Sequence, residues 1–260
     1  MPQPLSNSIT KESPYNLAFN ADELRTRPLL AAKVSEFIAR ASALDHGMAM
    51  VLVSLLHASP EPAFAMFSEV LDAGNRRAMI LAAARSTLDA EHFEMLEVVS
   101  NAVRMQIDVR NKFAHWLWGG CEQLPDALLL VDPRYLLGHA RHFQKVWTDD
   151  PLVEQDVERA HEERMAAIRF DFDKIYVYRA TDLDQSLRDM TETQGMLDDF
   201  GYMFNPQARS LDERMSDAFP NSPRESFLKL AKDRLINRVM FIDGLTRLRT
   251  KRGRNSASAG

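Results

Sequence analysis

Between Lys33 and His57 the apolar residues Val34, Ile38, Ala41, Met48, Leu52 and Leu55 recur at steps of four and three, with one step missing between Ala41 and Met48. That period is the turn of an α-helix, so the segment predicts one helix of about seven turns with a single apolar stripe. Such a stripe needs other helices to cover it. Phe93, Leu96, Val99, Val103 and Ile107 supply a second series, from about Asp89 to His115, which Gly119 and Gly120 bring to a stop. Pro60 and Pro62 end the first helix, and two shorter helical segments follow, Ala63 to Asp72 and Asn75 to Thr87, separated by Gly74. With 260 residues, 45% of them hydrophobic, the chain is long enough to bury a core without disulfides or metals. Its one cysteine, Cys121, excludes an intramolecular disulfide.

Residues 1–30 hold Pro2, Pro4, Pro14 and Pro28 among serines and asparagines and read as an extended arm, docking through Tyr15, Leu17 and Phe19. Residues 31–118 form the helical core. In 119–180, the aliphatic run Leu128 to Val131 ends at Asp132-Pro133, and His115 to Trp118 is placed to pair with it across a loop containing Pro125. Lys174 to Arg179 reads as a third strand of that hairpin, and Arg134 to about Ile168 between them is helical. C-terminal helices fill 181–252. Thr181 with Asp184 imitates a capping box for a helix to about Phe204, and Ser222, Pro223 and Glu225 start another that runs to about Arg249, with Asn205 to Pro220 as the loop between. Residues 253–260 read as a disordered tail. The expected fold class is mainly α, a helical bundle with a small antiparallel β appendage and additional C-terminal helices.

The longest apolar stretch, Met48 to Leu56, falls far short of the roughly 20 residues that cross a bilayer, and Met1 to Ile9 shows no basic region leading into an apolar one. The expectation is a cytoplasmic protein with no membrane contact. The net charge is −5, yet Arg247, Arg249, Lys251, Arg252 and Arg254 crowd into one C-terminal stretch, which leaves the rest of the chain at −10. An acidic body does not bind nucleic acid non-specifically, since that affinity comes from clustered cations, so any nucleic acid is met locally.

Two charged residues interrupt the apolar stripes. Asp45 fills the missing step of the first series, and the second continues through Gln106 to Arg110. An unpaired carboxylate in a core costs several kcal/mol, roughly, so either Asp45 and Arg110 meet as a structural ion pair or both line a cleft. Around the arginine the chain reads Val109-Arg110-Asn111-Lys112-Phe113-Ala114-His115. Asn111 and His115, four apart, share one helix face, while Arg110 stands about 140° round from His115.

This segment resembles the Arg-Asn-x-x-x-His signature of the HEPN (higher eukaryotes and prokaryotes nucleotide-binding) superfamily of helical bundles, many of which are metal-independent ribonucleases. Arg110, Asn111 and His115 match the motif, and the supporting helical pattern extends from about Lys33 to Trp118. The resemblance implies a homodimer with both motifs lining a shared cleft, and Asp45 as the further acidic residue of the site. It implies RNA as substrate, no metal and no cofactor, and a toxin–antitoxin or phage-defence setting with an antitoxin or regulatory protein as partner. In that chemistry His115 moves a proton at the ribose 2′-hydroxyl or the leaving 5′-oxygen, Arg110 holds the phosphate and Asn111 orients it. Lys112, Trp116 and Trp118 are the candidate RNA-binding residues, the tryptophans by stacking on bases, with core or dimer packing as their alternative. The layout of long helix, two short helices and motif helix also resembles the mannitol-operon repressor branch. The alternative function is therefore a non-catalytic regulatory or protein-interaction module.

Other patterns carry less. His139 and His142 have metal-chelating spacing with no third ligand near them, and Asp171, Asp173, Asp182 and Asp184 bracket the third strand. Cys121 beside two glycines is a lone thiol. No Gly-rich phosphate loop and no Gly-x-Ser-x-Gly elbow is present, which leaves ATPase, dehydrogenase and esterase readings without support.

Overall fold

The computed structural model describes residues 2–10, 16–148, 170–205, 210, 213–214 and 226–257. It is mainly α-helical with a small antiparallel sheet of five strands. The chain divides into two units, Met1–Glu36 with Asn111–Leu187, and Phe37–Arg110 with Arg188–Gly260.

The first unit holds the sheet. Strand β1 (Gln3–Pro4) and strand β2 (Leu17–Ala18) come from the N-terminal segment, followed by the short helix α1 (Asp22–Thr26). Strands β3 (Leu117–Cys121), β4 (Ala127–Val131) and β5 (Ile175–Arg179) make the body of the sheet. The order is β1-β5-β4-β3-β2. β4 lies at the centre and every one of its residues is buried, which is why its sequence is aliphatic without alternation. Leu117 pairs with Val131 and Trp118 with Leu130, while Leu129 opposes Val177 on the other side. The predicted hairpin and third strand are therefore present, although only Leu117 and Trp118 of the expected His115 to Trp118 strand belong to it: His115 is the last residue of the preceding helix, Trp116 lies between, and the strand continues through Gly119 and Gly120 to Cys121.

Side chains of β5 alternate between two faces. Ile175 and Val177 join Leu5, Leu129, Val131 and Phe172 in one apolar cluster. Tyr178 packs edge-on to Phe113 at 5.2 Å, and Trp118 lies 5.4 Å from the same Phe113 ring. Burial pushes the Tyr178 phenol well above the ordinary tyrosine value. The N-terminal arm is thus only partly extended. β1 and β2 cover the two edges of the sheet, and Leu5, from a single 3₁₀ turn, is fully buried in it. Of the three docking residues, Leu17 and Phe19 pack against the core, and Tyr15 lies outside the described residues.

The long helix α2 (Pro28–Leu56) starts at Pro28 and not near Lys33, because proline suits the first turn of a helix. Its buried positions include Leu30, Val34, Phe37, Ala41, Leu44, Met48, Val51, Leu52 and Leu55. The predicted stripe shares Val34, Ala41, Met48, Leu52 and Leu55 with this one, and after Met48 the helix buries both Val51 and Leu52. After Val34 and after Ala41 the choice lies between the residue three further on and the one four further on. The helix buries Phe37 and Leu44 in place of Ile38 and Asp45, since the first choice supplies apolar groups at both places and the second includes a carboxylate. α2 is, among the described residues, the one helix long and apolar enough by composition to cross a membrane, and half of its most apolar window is buried inside the protein. It ends at His57, whose φ of 49° is the left-handed turn that commonly closes a helix.

In the second unit, α3 (Pro60–Glu69) and α4 (Ala73–Thr87) follow. Pro60 thus opens a helix as well as following one, and α4 is capped by Asp72, which accepts a hydrogen bond from Asn75 N–H at 2.8 Å. α5 (Ala90–His115) is capped by Asp89, which accepts from His92 N–H and holds its ring nitrogen at 2.8 Å. Gly47 of α2 lies where a methyl group would meet Leu197, so the glycine lets two helices approach closely.

The remaining helices are α6 (Pro133–Thr148) in the first unit, α7 (Ala180–Phe204), and α8 (Phe227–Ile236) and α9 (Val239–Ala257) in the second. The continuation of α6 to Ile168 lies outside the described residues, as does the predicted Ser222-Pro223-Glu225 start. α7 begins before Thr181, with Asp182 accepting from Arg179 N–H, so Thr181 does not cap it. Ser226 caps α8 through Leu228 and Lys229 N–H. The predicted single helix to Arg249 is two helices broken at Asn237 and Arg238, and α9 passes through Gly253 to Ala257. The break is fixed by Asp199 of α7, only 5% exposed, which receives the Arg234 guanidinium at 2.9 Å and that of Arg238 at 2.7 Å.

Candidate functional site

Phe113 decides which way the last turn of α5 faces. It is buried among Trp118 and Tyr178, and its carbonyl accepts a hydrogen bond from the Trp118 indole at 2.9 Å. With that residue held inward, Asn111, Lys112 and His115 are exposed. Asn111 and His115 stand one turn apart on one face, so their side chains are neighbours. Among the described residues no side-chain hydrogen bond or ion pair engages the His115 imidazole, which is exposed.

Arg110 is half-buried and already engaged by neighbours. α5 remains helical through His115, which keeps Arg110 about 140° round the axis from that histidine. A single chain does not converge the two. Asp45 does not join Arg110 either. It is half-exposed and its carboxylate pairs with Arg76 of α4 at 3.4 Å. Arg76 also sits over the Phe67 ring at 4.9 Å and donates from Nε to the Val70 carbonyl, so Asp45 belongs to a corner of α2, α3 and α4.

The two tryptophans have separate fates. Trp118 is 8% exposed and boxed between Phe113 and Tyr178. Trp116 is half-buried, with the Lys112 ammonium 5.3 Å from its ring centre and the Tyr176 ring 6.1 Å away. Tyr176 was not a sequence candidate. The signal for it was the alternation Ile-Tyr-Val-Tyr in the third strand, which sends Tyr176 and Tyr178 to the face opposite Ile175 and Val177.

The weaker candidates are also placed. The Cys121 thiol is buried and donates to Gln123 Oε1 at 2.9 Å. His139 stacks on Phe170 with ring centres 4.2 Å apart. Among the described residues no three His, Cys, Asp or Glu side chains come together as a metal site. Of the basic C-terminal residues, Arg249 bonds Glu94 at 2.8 Å and Arg252 bonds both Glu94 and Glu97, while Arg247, Lys251 and Arg254 are exposed. In the second unit a cavity of about 330 Å³ opens beside the ends of α2 and α4, lined by Ser54, His57, Thr87, Phe204 and Glu213 among others. Burial pulls the Arg77 guanidinium below its ordinary value, where it donates to Ser100 Oγ and Asn101 Oδ1.

Compared with known proteins, the chain matches no family model, and no curated protein and no solved structure is significantly similar to it.

Proposed function

We propose that the protein is a HEPN-like, metal-independent endoribonuclease that acts as a homodimer in the cytoplasm. The observation that carries this reading is the exposed pair Asn111 and His115 on the last turn of α5, held outward because Phe113 is held inward. An imidazole is suited to take the proton of a ribose 2′-hydroxyl and to return one to the leaving 5′-oxygen. The 2′-oxygen then attacks phosphorus, the 5′-oxygen leaves, and the products are a 2′,3′-cyclic phosphate and a 5′-hydroxyl. Arg110 offers its guanidinium fork to the phosphate oxygens as charge builds, and Asn111 orients them. Since Arg110 and His115 diverge on one helix, the reading takes each from a different copy about a two-fold axis. DNA lacks the attacking hydroxyl and is not cut. Asp45, engaged by Arg76, has no role in this scheme. Control by an antitoxin or regulatory partner, in a toxin–antitoxin or phage-defence setting, is part of the same reading.

The test is incubation of the purified protein with mixed RNA in EDTA, followed by analysis of fragment ends. Cyclic-phosphate ends from the wild type are expected, with His115→Ala and Arg110→Ala each reducing cleavage by about 10²-fold or more. Absence of cleavage by the folded wild-type dimer, with or without added partner, would sink the enzyme. The divergence of Arg110 and His115 within one chain favours a second reading in that event, a non-catalytic HEPN-like interaction module.

A further inference from the structure

Lys112, Trp116 and Tyr176 are unused by that mechanism, and all three belong to the first unit. The Lys112 ammonium rests over the Trp116 ring, and the Tyr176 ring lies beside it, inclined by 40°. Both rings are half-buried and Lys112 is exposed. Trp118 shows by contrast what a structural tryptophan looks like in this fold: its ring is enclosed and its N–H is bonded.

We propose that Trp116 and Tyr176 form a stacking platform for unpaired nucleobases of single-stranded RNA, with Lys112 leaving the Trp116 ring to meet a backbone phosphate. This rests on the ribonuclease reading of His115, the residue directly before Trp116. An exposed ammonium–indole contact is weaker than the stacking of a base on an indole, so an arriving base displaces the lysine. The displaced ammonium has a phosphate within the same nucleotide chain to pair with, and releases a counterion in doing so. Bases inside an A-form helix are stacked on each other and closed to such rings, which makes the platform selective for single strands. A chain of net charge −5 gains little from diffuse attraction to phosphate, and a stacking site with one cation is the kind of local contact that suits it.

The experiment uses the full chain carrying His115→Ala, to separate binding from cleavage, and measures fluorescence anisotropy with a labelled oligouridylate and with a blunt RNA duplex. Binding to the single strand and not to the duplex is expected. Trp116→Leu and Tyr176→Leu are each expected to weaken it about 10-fold, while Tyr176→Phe, which keeps the ring, retains it. Lys112→Gln should reduce the slope of log affinity against log salt by about 0.7, the value for one phosphate contact on a single strand. Thermal unfolding of each variant identifies any loss that comes from misfolding, and if a leucine variant fails to fold the salt slope of Lys112→Gln, a change at an exposed residue, decides the case, an unchanged slope overturning the platform. Unchanged affinity in folded Trp116→Leu and Tyr176→Leu, no binding to the single strand, or equal affinity for the duplex would overturn the platform. Wild-type cleavage with unchanged binding by the leucine variants removes the platform and leaves the enzyme; single-strand binding lost in those variants, with no wild-type cleavage, does the reverse.

Discussion

A β-carbon on Gly119 would collide with the carbonyl oxygen of Ala18 and stand 2.5 Å from the Phe19 ring. Since the first of these is backbone, β2 would have to move away from β3. Gly119→Ala is expected to destabilise the chain by about 1–3 kcal/mol, read as a lower Tm, with hydrogen exchange at Leu17 and Ala18 accelerating more than at Leu129. The same residue shows what the sequence can and cannot disclose at this scale. Gly119 and Gly120 read as the stop of a helix, which does end at His115, but they lie inside β3, and nothing local says that the missing side chain of Gly119 admits Ala18 and Phe19, or that of Gly120 the Glu23 carboxylate, from about a hundred residues earlier. Asp45 is a second case. The stripe through Ile38 and Asp45 reads as the buried one, yet the alternative through Phe37 and Leu44 is apolar at both places where the first meets a carboxylate at Asp45, and the helix takes it. The partner of Asp45, Arg76, was not legible, since an ion pair across two helices leaves no mark in either periodicity. Exposure of His115 follows from burial of Phe113, and that burial depends on Trp118 and Tyr178, which lie in two different strands.

Elements with strong patterns were readable and those with weak ones were not. β4 and β5 carry runs of aliphatic and aromatic residues, and β3 is found only as the partner that precedes β4, its Leu-Trp-Gly-Gly-Cys having no such run, whereas β1 and β2 are two residues each and have no period to detect. The break between α8 and α9 escapes the sequence because Asn237 and Arg238 are ordinary helix residues, and the break depends on the buried carboxylate of Asp199 drawing in Arg234 and Arg238. α9 is further tied to α5 by Arg249 and Arg252 on Glu94 and Glu97. The hydrogen bond from Arg249 holds the Glu94 carboxyl below the ordinary glutamate range. A carboxyl lowered in the folded chain adds stability that is complete above its unfolded pKa, near about 4.3, and that is lost as pH falls through the lowered value. Protection of α9 amides from hydrogen exchange should therefore weaken on acidification below about pH 4, and Glu94→Gln should reduce that dependence while lowering protection at neutral pH.

For the whole molecule, the proposed two-fold site makes a demand that no single-chain enzyme makes. Arg110→Ala and His115→Ala proteins, each inactive alone, should regain activity when unfolded together and refolded as a mixture. A mixed dimer then pairs the intact arginine of one copy with the intact histidine of the other. With random pairing the recovered activity should approach about a quarter of the wild-type value, and no recovery would exclude a site shared in this way. Both edges of the five-stranded sheet have a further consequence. Gln3 pairs with Val177, and Leu17 with Cys121, so each cover is joined to its edge across more than a hundred intervening residues. Closing loops of that length is slow compared with forming the hairpin of β3 and β4, which means the strands that β1 and β2 cover, β5 and β3, stand for a time with their outer borders open. Edge closure is then a late folding event, and until it happens the partly folded chain is a template for pairing with its own kind.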